Sequence, residues 1–230
     1  MKTKKTFWLI LALGIIILIL AGVYVYYQTY YYQAKANRII DHTGVKGGLI
    51  AHVGFNNGKL TSALHINDRY IVHGICRDME KIQKARQYIR NQDLYGKVTV
   101  QPWQSETLPY SDNLINLLLV ENPELISKEE MMRVLSPQGV AYVNKNGDWT
   151  KLVNPRPDGL DKWTHYLHGS SNNPVANDTV VGPPRGLQWK SEPTWSRSHE
   201  YLSSFAVMVS DGKRVFYIFD DGLTGITGGP

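Results

Sequence analysis

A glycine turn at residues 54–58 holds the residue types in this chain that are most typical of ligand binding. It reads Gly54-Phe55-Asn56-Asn57-Gly58, with a short apolar run before it and a helical pattern after it. In a strand–turn–helix unit of this kind, N–H groups at the start of the helix bind nucleotide-like groups. Gly54 and Gly58 supply the two ends of such a turn, but Asn56 stands where closest approach of a ligand favours a small residue. The pattern therefore predicts a strand–turn–helix unit whose turn is altered at its central residue.

The elements that must position this turn alternate between short apolar runs and amphipathic stretches up to about residue 143. Strands are predicted at residues 49–53, 70–74, 98–100, 114–120 and 140–143, and helices at 59–64, 79–91 and 128–135. Ser127 and Glu130 form a capping box at the start of the last helix. Asn146-Gly147-Asp148 is typical of a hairpin turn and predicts an antiparallel strand at the edge of the sheet. The sequence thus predicts a doubly wound α/β domain.

This order of elements resembles a class I S-adenosylmethionine-dependent methyltransferase domain over roughly residues 44–153. The outer glycines of the turn match the first motif of that family, in which a third glycine stands at the position of Asn56. Leu135-Ser136-Pro137-Gln138-Gly139 resembles the leucine-proline-glycine step before the fifth strand. The resemblance implies a Rossmann-like, methyltransferase-like sheet with altered cofactor contacts.

The resemblance also implies where a cofactor would lie. Cys76 follows the second strand where the family has an acidic residue for the ribose, and Asp78 comes two positions later as either a ribose acceptor or, preferably, a helix cap. Trp103 either stacks on a purine or closes the end of the sheet as a core residue. The family pattern, carried onto this chain, gives no catalytic and no metal-binding residue. It gives a degenerate cofactor site formed by Gly54, Asn56, Gly58, Asp78, Trp103 and Gln104.

Several other polar residues are given no functional role, and a structural explanation is preferred for them. His52 and His73 lie near the carboxyl edge of the predicted sheet, but no partnered acid or nucleophile assigns them a mechanism. Glu121 is interpreted as part of a turn that opens a helix. His165 and His168 would share one helical face, as in a two-histidine metal site, although packing is the favoured interpretation.

The N-terminus predicts a membrane anchor. An apolar run at residues 7–25 is long enough to span a bilayer, and it follows Lys2, Lys4 and Lys5. An uncleaved signal anchor is favoured over a cleaved signal peptide because the apolar run is long and leucines and isoleucines precede Ala21-Gly22. The tyrosines at residues 24–32 suit the membrane interface. A separate membrane-proximal helix is predicted from about residue 31 to residue 41.

The position of the lysines predicts the topology. No lysine follows the apolar run until Lys35, so the positive-inside bias places the N-terminus in the cytoplasm and the soluble part outside, in the periplasm or at the cell surface. The single cysteine, Cys76, forms no intramolecular disulfide. A net charge of +5 without a basic stripe argues against nucleic acid as a partner. The expected partner is the membrane, through the N-terminal helix.

The C-terminal part changes in composition. Residues 154–184 form a connector rich in Pro, Asn and Gly, and strands are predicted at 187–190, 205–209 and 214–220 with an Asp211-Gly212 turn. Residues 185–230 resemble about one blade of a quinoprotein-type, PQQ-binding-like β-propeller, which implies a longer protein. Residues that hold pyrroloquinoline quinone would then lie on later blades. The expected order is an anchor at residues 1–35, the α/β domain at 36–153, the connector, and the propeller start.

These features together resemble bacterial envelope proteins and predict a membrane-anchored, extracytoplasmic protein. Its methyltransferase-like domain is expected to bind no cofactor and to act as a binding or scaffold module for the rest of its own propeller. Two alternatives stay open: an active methyltransferase that binds S-adenosylmethionine, and the N-terminal part of a quinone-dependent oxidoreductase.

Overall fold

The computed structural model describes residues 2–182, 205–211 and 214–219. The chain divides into two compact units, Met1–Pro155 and Arg156–Pro230. The first unit holds the N-terminal helix and a six-stranded sheet, and the second holds a two-stranded sheet.

Helix α1 (Lys2–Thr43) is a single continuous helix, whereas the sequence predicted an apolar span and a separate helix near residues 31–41. The two segments join because no glycine or proline lies between residues 23 and 43 to interrupt them. Gly44 ends the helix at a φ of 74°, and its N–H donates to the Ile40 carbonyl. By length and composition α1 can cross a membrane, a test that a signal sequence also passes.

The six-stranded sheet has the order β3-β2-β1-β4-β5-β6. Strands β1 to β5 are parallel, and β6 pairs antiparallel with β5 at the edge. The strand order reverses between β1 and β4, which is where open α/β sheets bind ligands. The strands are β1 (Gly48–Val53), β2 (Tyr70–Cys76), β3 (Val98–Pro102), β4 (Ile115–Val120), β5 (Leu135–Lys145) and β6 (Asp148–Val153).

Three short helices connect these strands: α2 (Lys59–Ala63), α3 (Met79–Asn91) and α4 (Lys128–Val134), with a 3-10 turn at Pro123–Leu125. Helix α3 buries Ile82, Ala85 and Ile89, whose spacing puts them on one face. The Ser127 side chain accepts a hydrogen bond from the Glu130 N–H, so the predicted cap of α4 is present. One apolar core lies on each face of the sheet, and α1 contributes Ile39 and Ile40 to the first.

The predicted fold class is confirmed: a doubly wound, Rossmann-like sheet follows an N-terminal apolar helix, and a small antiparallel sheet lies near the C-terminus. The largest difference in a boundary is at β5, which begins at Leu135 rather than residue 140. The sequence did not predict this start because a proline, Pro137, is unusual inside a strand, and Gln138 has a positive φ that a regular strand does not have. A shift of register between Ile115 and Leu117 of β4 accommodates them.

The second unit contains strands β7 (Phe205–Ser210) and β8 (Val215–Phe219), which pair antiparallel as the sequence predicted. The Arg214 N–H donates to the Asp211 side chain in the turn between them. Gly212, the predicted strand at 187–190 and most of the predicted blade lie outside the described residues. The propeller and the domain boundaries therefore stay predictions.

Candidate functional site

The candidate site is the crevice at the carboxyl ends of β1 and β4, beside the glycine turn. The Gly54 N–H donates to the Ile75 carbonyl at 2.9 Å, and the Glu121 N–H donates to the Val53 carbonyl at 3.0 Å. These bonds extend the pairing of β1 with both neighbours to the strand ends. The turn and Glu121 therefore lie side by side at the point where the strand order reverses.

The two outer positions of the turn require glycine for different structural reasons. Both have positive φ angles, 79° at Gly54 and 75° at Gly58, which side chains other than glycine rarely adopt. A Cβ atom on Gly58 would also lie 2.6 Å from the Cβ of Ala85 and 2.8 Å from its Cα, so α3 leaves no space there. A Cβ on Gly54 would have no atom closer than 3.6 Å. Packing accounts for Gly58, and backbone conformation accounts for Gly54.

The centre of the turn explains why larger residues are tolerated. Phe55 is 1% exposed, and its ring packs against Gly74 of β2, where a Cβ would lie only 3.0 Å from the ring. Asn57 accepts a hydrogen bond from the Lys59 N–H at 3.1 Å, so it supports the start of α2. Asn56 is exposed at the tip. The turn directs its aromatic side chain into the core.

A polar cluster fills the side of the crevice between β1, β4 and α1. The His52 ring is 2% exposed, and its Nδ1 lies 2.9 Å from the Thr61 hydroxyl oxygen. Its Nε2 lies 3.6 Å from Oε1 of Glu121 and has no hydrogen-bond partner. The same carboxylate oxygen lies 3.8 Å from Nζ of Lys35, and the Asn144 amide donates to the other oxygen. Three elements thus converge on one carboxylate.

The charges in this cluster shift the pKa values of the histidine and the acid in a consistent way. Burial lowers the pKa of His52, an effect that outweighs the neighbouring carboxylate, so the ring is neutral at pH 7. Burial alone would raise the pKa of Glu121, but the nearby Lys35 charge and the hydrogen bond from Asn144 favour its ionised form and lower that pKa. The crevice therefore presents one ammonium, one carboxylate and one neutral imidazole.

The cavity above the turn is small. Its volume is about 230 Å³, and its lining includes Tyr32, Lys35, His52, Glu121 and the turn itself. Pockets that bind small molecules and cofactors usually enclose about 300–1,000 Å³. Asp78, Trp103 and Gln104 do not line this cavity. Of the six predicted cofactor positions, the structure brings Gly54, Asn56 and Gly58 to one cavity and leaves the other three elsewhere.

The positions after β2 and β3 are occupied by local structure. Asp78 caps α3, with Oδ1 accepting hydrogen bonds from the Glu80 and Lys81 N–H groups, in agreement with the favoured interpretation. Trp103 is 4% exposed, donates from Nε1 to the Thr107 carbonyl, and carries the Arg77 guanidinium 5.1 Å from its ring centre. Gln104 is exposed. Trp103 therefore closes the sheet end as a core residue.

Cys76 is buried at the position where the resembling family has an acid. Its thiol donates to the Asp78 carbonyl, and burial raises its pKa. A neutral thiol in this position provides no carboxylate for a ribose hydroxyl.

The remaining histidines do not form a metal site in the part of the chain that the structure describes, where no group of three suitable ligands occurs. The prediction that His165 and His168 share a helical face is wrong, because they face each other across an isolated antiparallel bridge. The positive φ of His168 excludes a regular helix there. Its Nε2 instead lies 2.6 Å from the Asp161 carboxylate. His73 pairs with the Tyr110 hydroxyl at 2.9 Å.

Sequence reasoning missed the association of His52 with Glu121 and Lys35. Glu121 was interpreted as a turn residue, and the turn is present, since Asn122 caps the 3-10 segment. The side chain of Glu121 nevertheless faces the crevice. The available signal was its place directly after a buried strand next to β1, where the ends of parallel strands meet.

The similarity of this chain to known proteins lies at the level of the fold. No protein-family model matches the chain, and no relative was found among curated proteins. A Methanococcus maripaludis protein assigned as an S-adenosyl-L-methionine-dependent methyltransferase is similar at 19% identity and a TM-score of 0.45, over 51% of this chain and 57% of that one. The [4+2]-cyclase SpnF is similar at 21% identity and a TM-score of 0.44, over 48% and 43%.

A methyltransferase from Aquifex aeolicus described as SAM-dependent is similar at 19% identity and a TM-score of 0.42, over 47% of this chain and 62% of that one. The chain thus spans about half the length of these structures. The strand order and the antiparallel edge strand define the fold class. The class defined by the fold is a Rossmann-like, methyltransferase-like domain.

Proposed function

We propose that residues 36–153 form a methyltransferase-like domain that has lost its cofactor and serves as a membrane-anchored, extracytoplasmic binding or scaffold module. The observation that carries this proposal is the small size of the crevice, in which about 230 Å³ of space is left above the turn. A cofactor of nucleotide size needs more room than this. At two of the other positions that the resemblance gives for a cofactor, Trp103 is buried and Asp78 caps a helix.

Polar contacts support the same proposal. A bound nucleoside needs an acceptor for its ribose hydroxyls, and the matching position holds the buried thiol of Cys76. The Trp103 ring, the natural platform for a purine, is covered by Arg77. Binding would require these groups to move and would forfeit the contacts they make.

An active S-adenosylmethionine-dependent methyltransferase is the second candidate. The strand order and the positive φ angles at Gly54 and Gly58 favour it, since both belong to a sheet end built to hold a ligand. In that case Gly54, Gly58 and Asp78 would contact the cofactor.

Calorimetric titration of the full chain in detergent micelles with S-adenosylmethionine separates the two. We expect no binding at micromolar concentrations. Micromolar binding would overturn the proposal, and loss of that binding in the Glu121→Gln variant would place the ligand in the crevice. Cooperative thermal unfolding of the same sample confirms that the protein is folded.

The anchoring part of the proposal is supported by the three lysines before the apolar stretch of α1 and by the exposure of that stretch. A reporter fused after Val153 should be active only outside the cytoplasm, and cytoplasmic activity would reverse the topology. The intact mass of the mature chain distinguishes an uncleaved anchor from a cleaved signal peptide.

The propeller, with pyrroloquinoline quinone on its later blades, remains part of this proposal through the resemblance of residues 185–230. A quinone-dependent oxidoreductase is the corresponding alternative for a longer protein. Sequence beyond Pro230 tests both, and the absence of strand repeats of about forty residues would remove them.

A further inference from the structure

A second, larger cavity lies outside the crevice, between α1 and the hairpin of β5 and β6. This α1–hairpin groove has a volume of about 860 Å³, and its lining includes Tyr27, Tyr30, Tyr31, Lys35, Arg38 and Trp149. The volume is within the range of about 300–1,000 Å³ that is typical of small-molecule sites. Nothing in the proposed scaffold function uses this groove.

One wall of the groove is a stripe of α1. Tyr27, Tyr31, Lys35 and Arg38 are spaced three or four residues apart, so they follow one face of the helix. Tyr27 and Tyr31 are more than half exposed, although each is a large aromatic residue. The stripe passes from exposed aromatic residues to two cations in the direction away from the apolar run.

The opposite wall is a fixed aromatic pair. The Tyr142 and Trp149 rings stack at 4.8 Å with an angle of 16° between their planes, and Nζ of Lys35 lies 5.5 Å from the Trp149 ring centre. Lys151 of β6 donates to the carbonyls of His42 and Thr43, at 3.1 and 2.9 Å. These bonds attach the hairpin to the end of α1, so the groove is preformed.

The charge in the groove is suited to an anion. Arg38 is exposed and takes part in none of the ion pairs formed among the described residues. Lys35 is shared with Glu121, at 3.8 Å. The acidic residue in the lining, Asp41, follows Arg38 by three residues and lies beside it on the same face of α1. The lining thus holds two cations and one carboxylate, and the cations lie nearer to the tyrosines than the carboxylate does.

The position of these cations along α1 matches the surface of a bilayer. No charged residue lies between Lys5 and Lys35. At 1.5 Å per residue this stretch of helix is about 45 Å long, close to the 40–45 Å thickness of a bilayer with its headgroup layers. With α1 spanning the membrane, Lys35 lies at the level of the lipid phosphates and Tyr27 to Tyr31 lie just below them.

We propose that the α1–hairpin groove binds one anionic phospholipid, with its phosphate at Arg38 and Lys35 and its glycerol and upper acyl chains against the tyrosines and Trp149. This proposal rests on the membrane anchoring proposed above and deepens it by naming the lipid class. Arginine and lysine donate to phosphate oxygens, and tyrosine and tryptophan suit the boundary between tails and water.

The test uses the full chain in nanodiscs that contain equal amounts of phosphatidylglycerol and phosphatidylcholine with the same acyl chains. Protein is released with mild detergent, and retained lipid is measured by native mass spectrometry. We expect wild type to retain phosphatidylglycerol in preference to phosphatidylcholine. Removal of one cation in Arg38→Gln should lower this preference by about fivefold, and Arg38→Lys should keep most of it.

Lys46→Gln is the matched control, because Lys46 is exposed, lies outside the groove lining and gives the same change in charge. It should retain the wild-type preference. Equal retention of the two lipids by wild type, or an equal loss in Lys46→Gln and Arg38→Gln, would overturn the lipid site. A chain that does not insert into these nanodiscs would instead refute the anchoring on which the proposal rests.

Discussion

Replacement of Gly58 by alanine tests whether the packing of α3 requires a glycine at this position. The new Cβ would lie 2.6 Å from the Cβ of Ala85 and 2.8 Å from its Cα. Overpacking of this kind costs about 1–3 kcal/mol, and the positive φ of 75° adds about 1–2 kcal/mol for an L-residue. We therefore expect Gly58→Ala to lower the free energy of unfolding by about 2–5 kcal/mol.

Gly54→Ala is the matched control for this prediction. Gly54 has nearly the same φ, 79°, but the nearest atom to its added Cβ is 3.6 Å away. Only the conformational cost of about 1–2 kcal/mol is expected there. The difference between the two variants isolates the clash with α3.

Urea denaturation of the full chain in mild detergent, followed by tryptophan fluorescence, measures both variants. Addition of Ala85→Gly to Gly58→Ala should recover part of the loss, because the clash with the side chain of residue 85 disappears while the overlap with its backbone remains. Equal losses for Gly54→Ala and Gly58→Ala, with no recovery in the double variant, would refute the packing explanation.

Two further predictions concern the polar contacts of the domain. Arg133 donates to the carbonyls of Leu108 and Tyr110 and to the Glu130 carboxylate, so Arg133→Gln should cost about 2 kcal/mol in the same denaturation assay, and an unchanged midpoint would contradict it. Burial lowers the pKa of His52 in the folded state below 6.5, its value in the unfolded state. As the pH drops through 6.5, the unfolded state therefore binds a proton that the folded state does not, and the free energy of unfolding falls. His52→Asn should remove up to about 1.4 kcal/mol per pH unit from that slope between about pH 7 and 5, and wild-type and variant slopes that coincide would disprove this role.

Much of the fold was predictable because its signals are local. The bounds of α3 follow from apolar spacing and from Asp78, which caps the helix directly after β2. The β5–β6 hairpin follows from Asn146 and Gly147, whose positive φ values suit a tight turn. The start of β5 was missed because Pro137 and Gln138 have no place in a regular strand, and only the shifted pairing with β4 accommodates them.

The candidate site was predictable only in part. Gly54 and Gly58 were identified because backbone conformation restricts residue type at each position separately. The contact of Glu121 with His52 and Lys35 depends on three segments that are far apart in the chain, and no local pattern records it.

The sequence by itself determined the apolar helix, the alternation of strands and helices, the caps and the turns, because each depends on neighbouring residues. Only the tertiary structure decided what surrounds the glycine turn. The packing of α3 against Gly58, the burial of Phe55 over Gly74 and the placement of α1 beside β4 leave a small polar crevice next to the turn. The physical reason is that side-chain volume and charge act through space, between residues that the chain order separates.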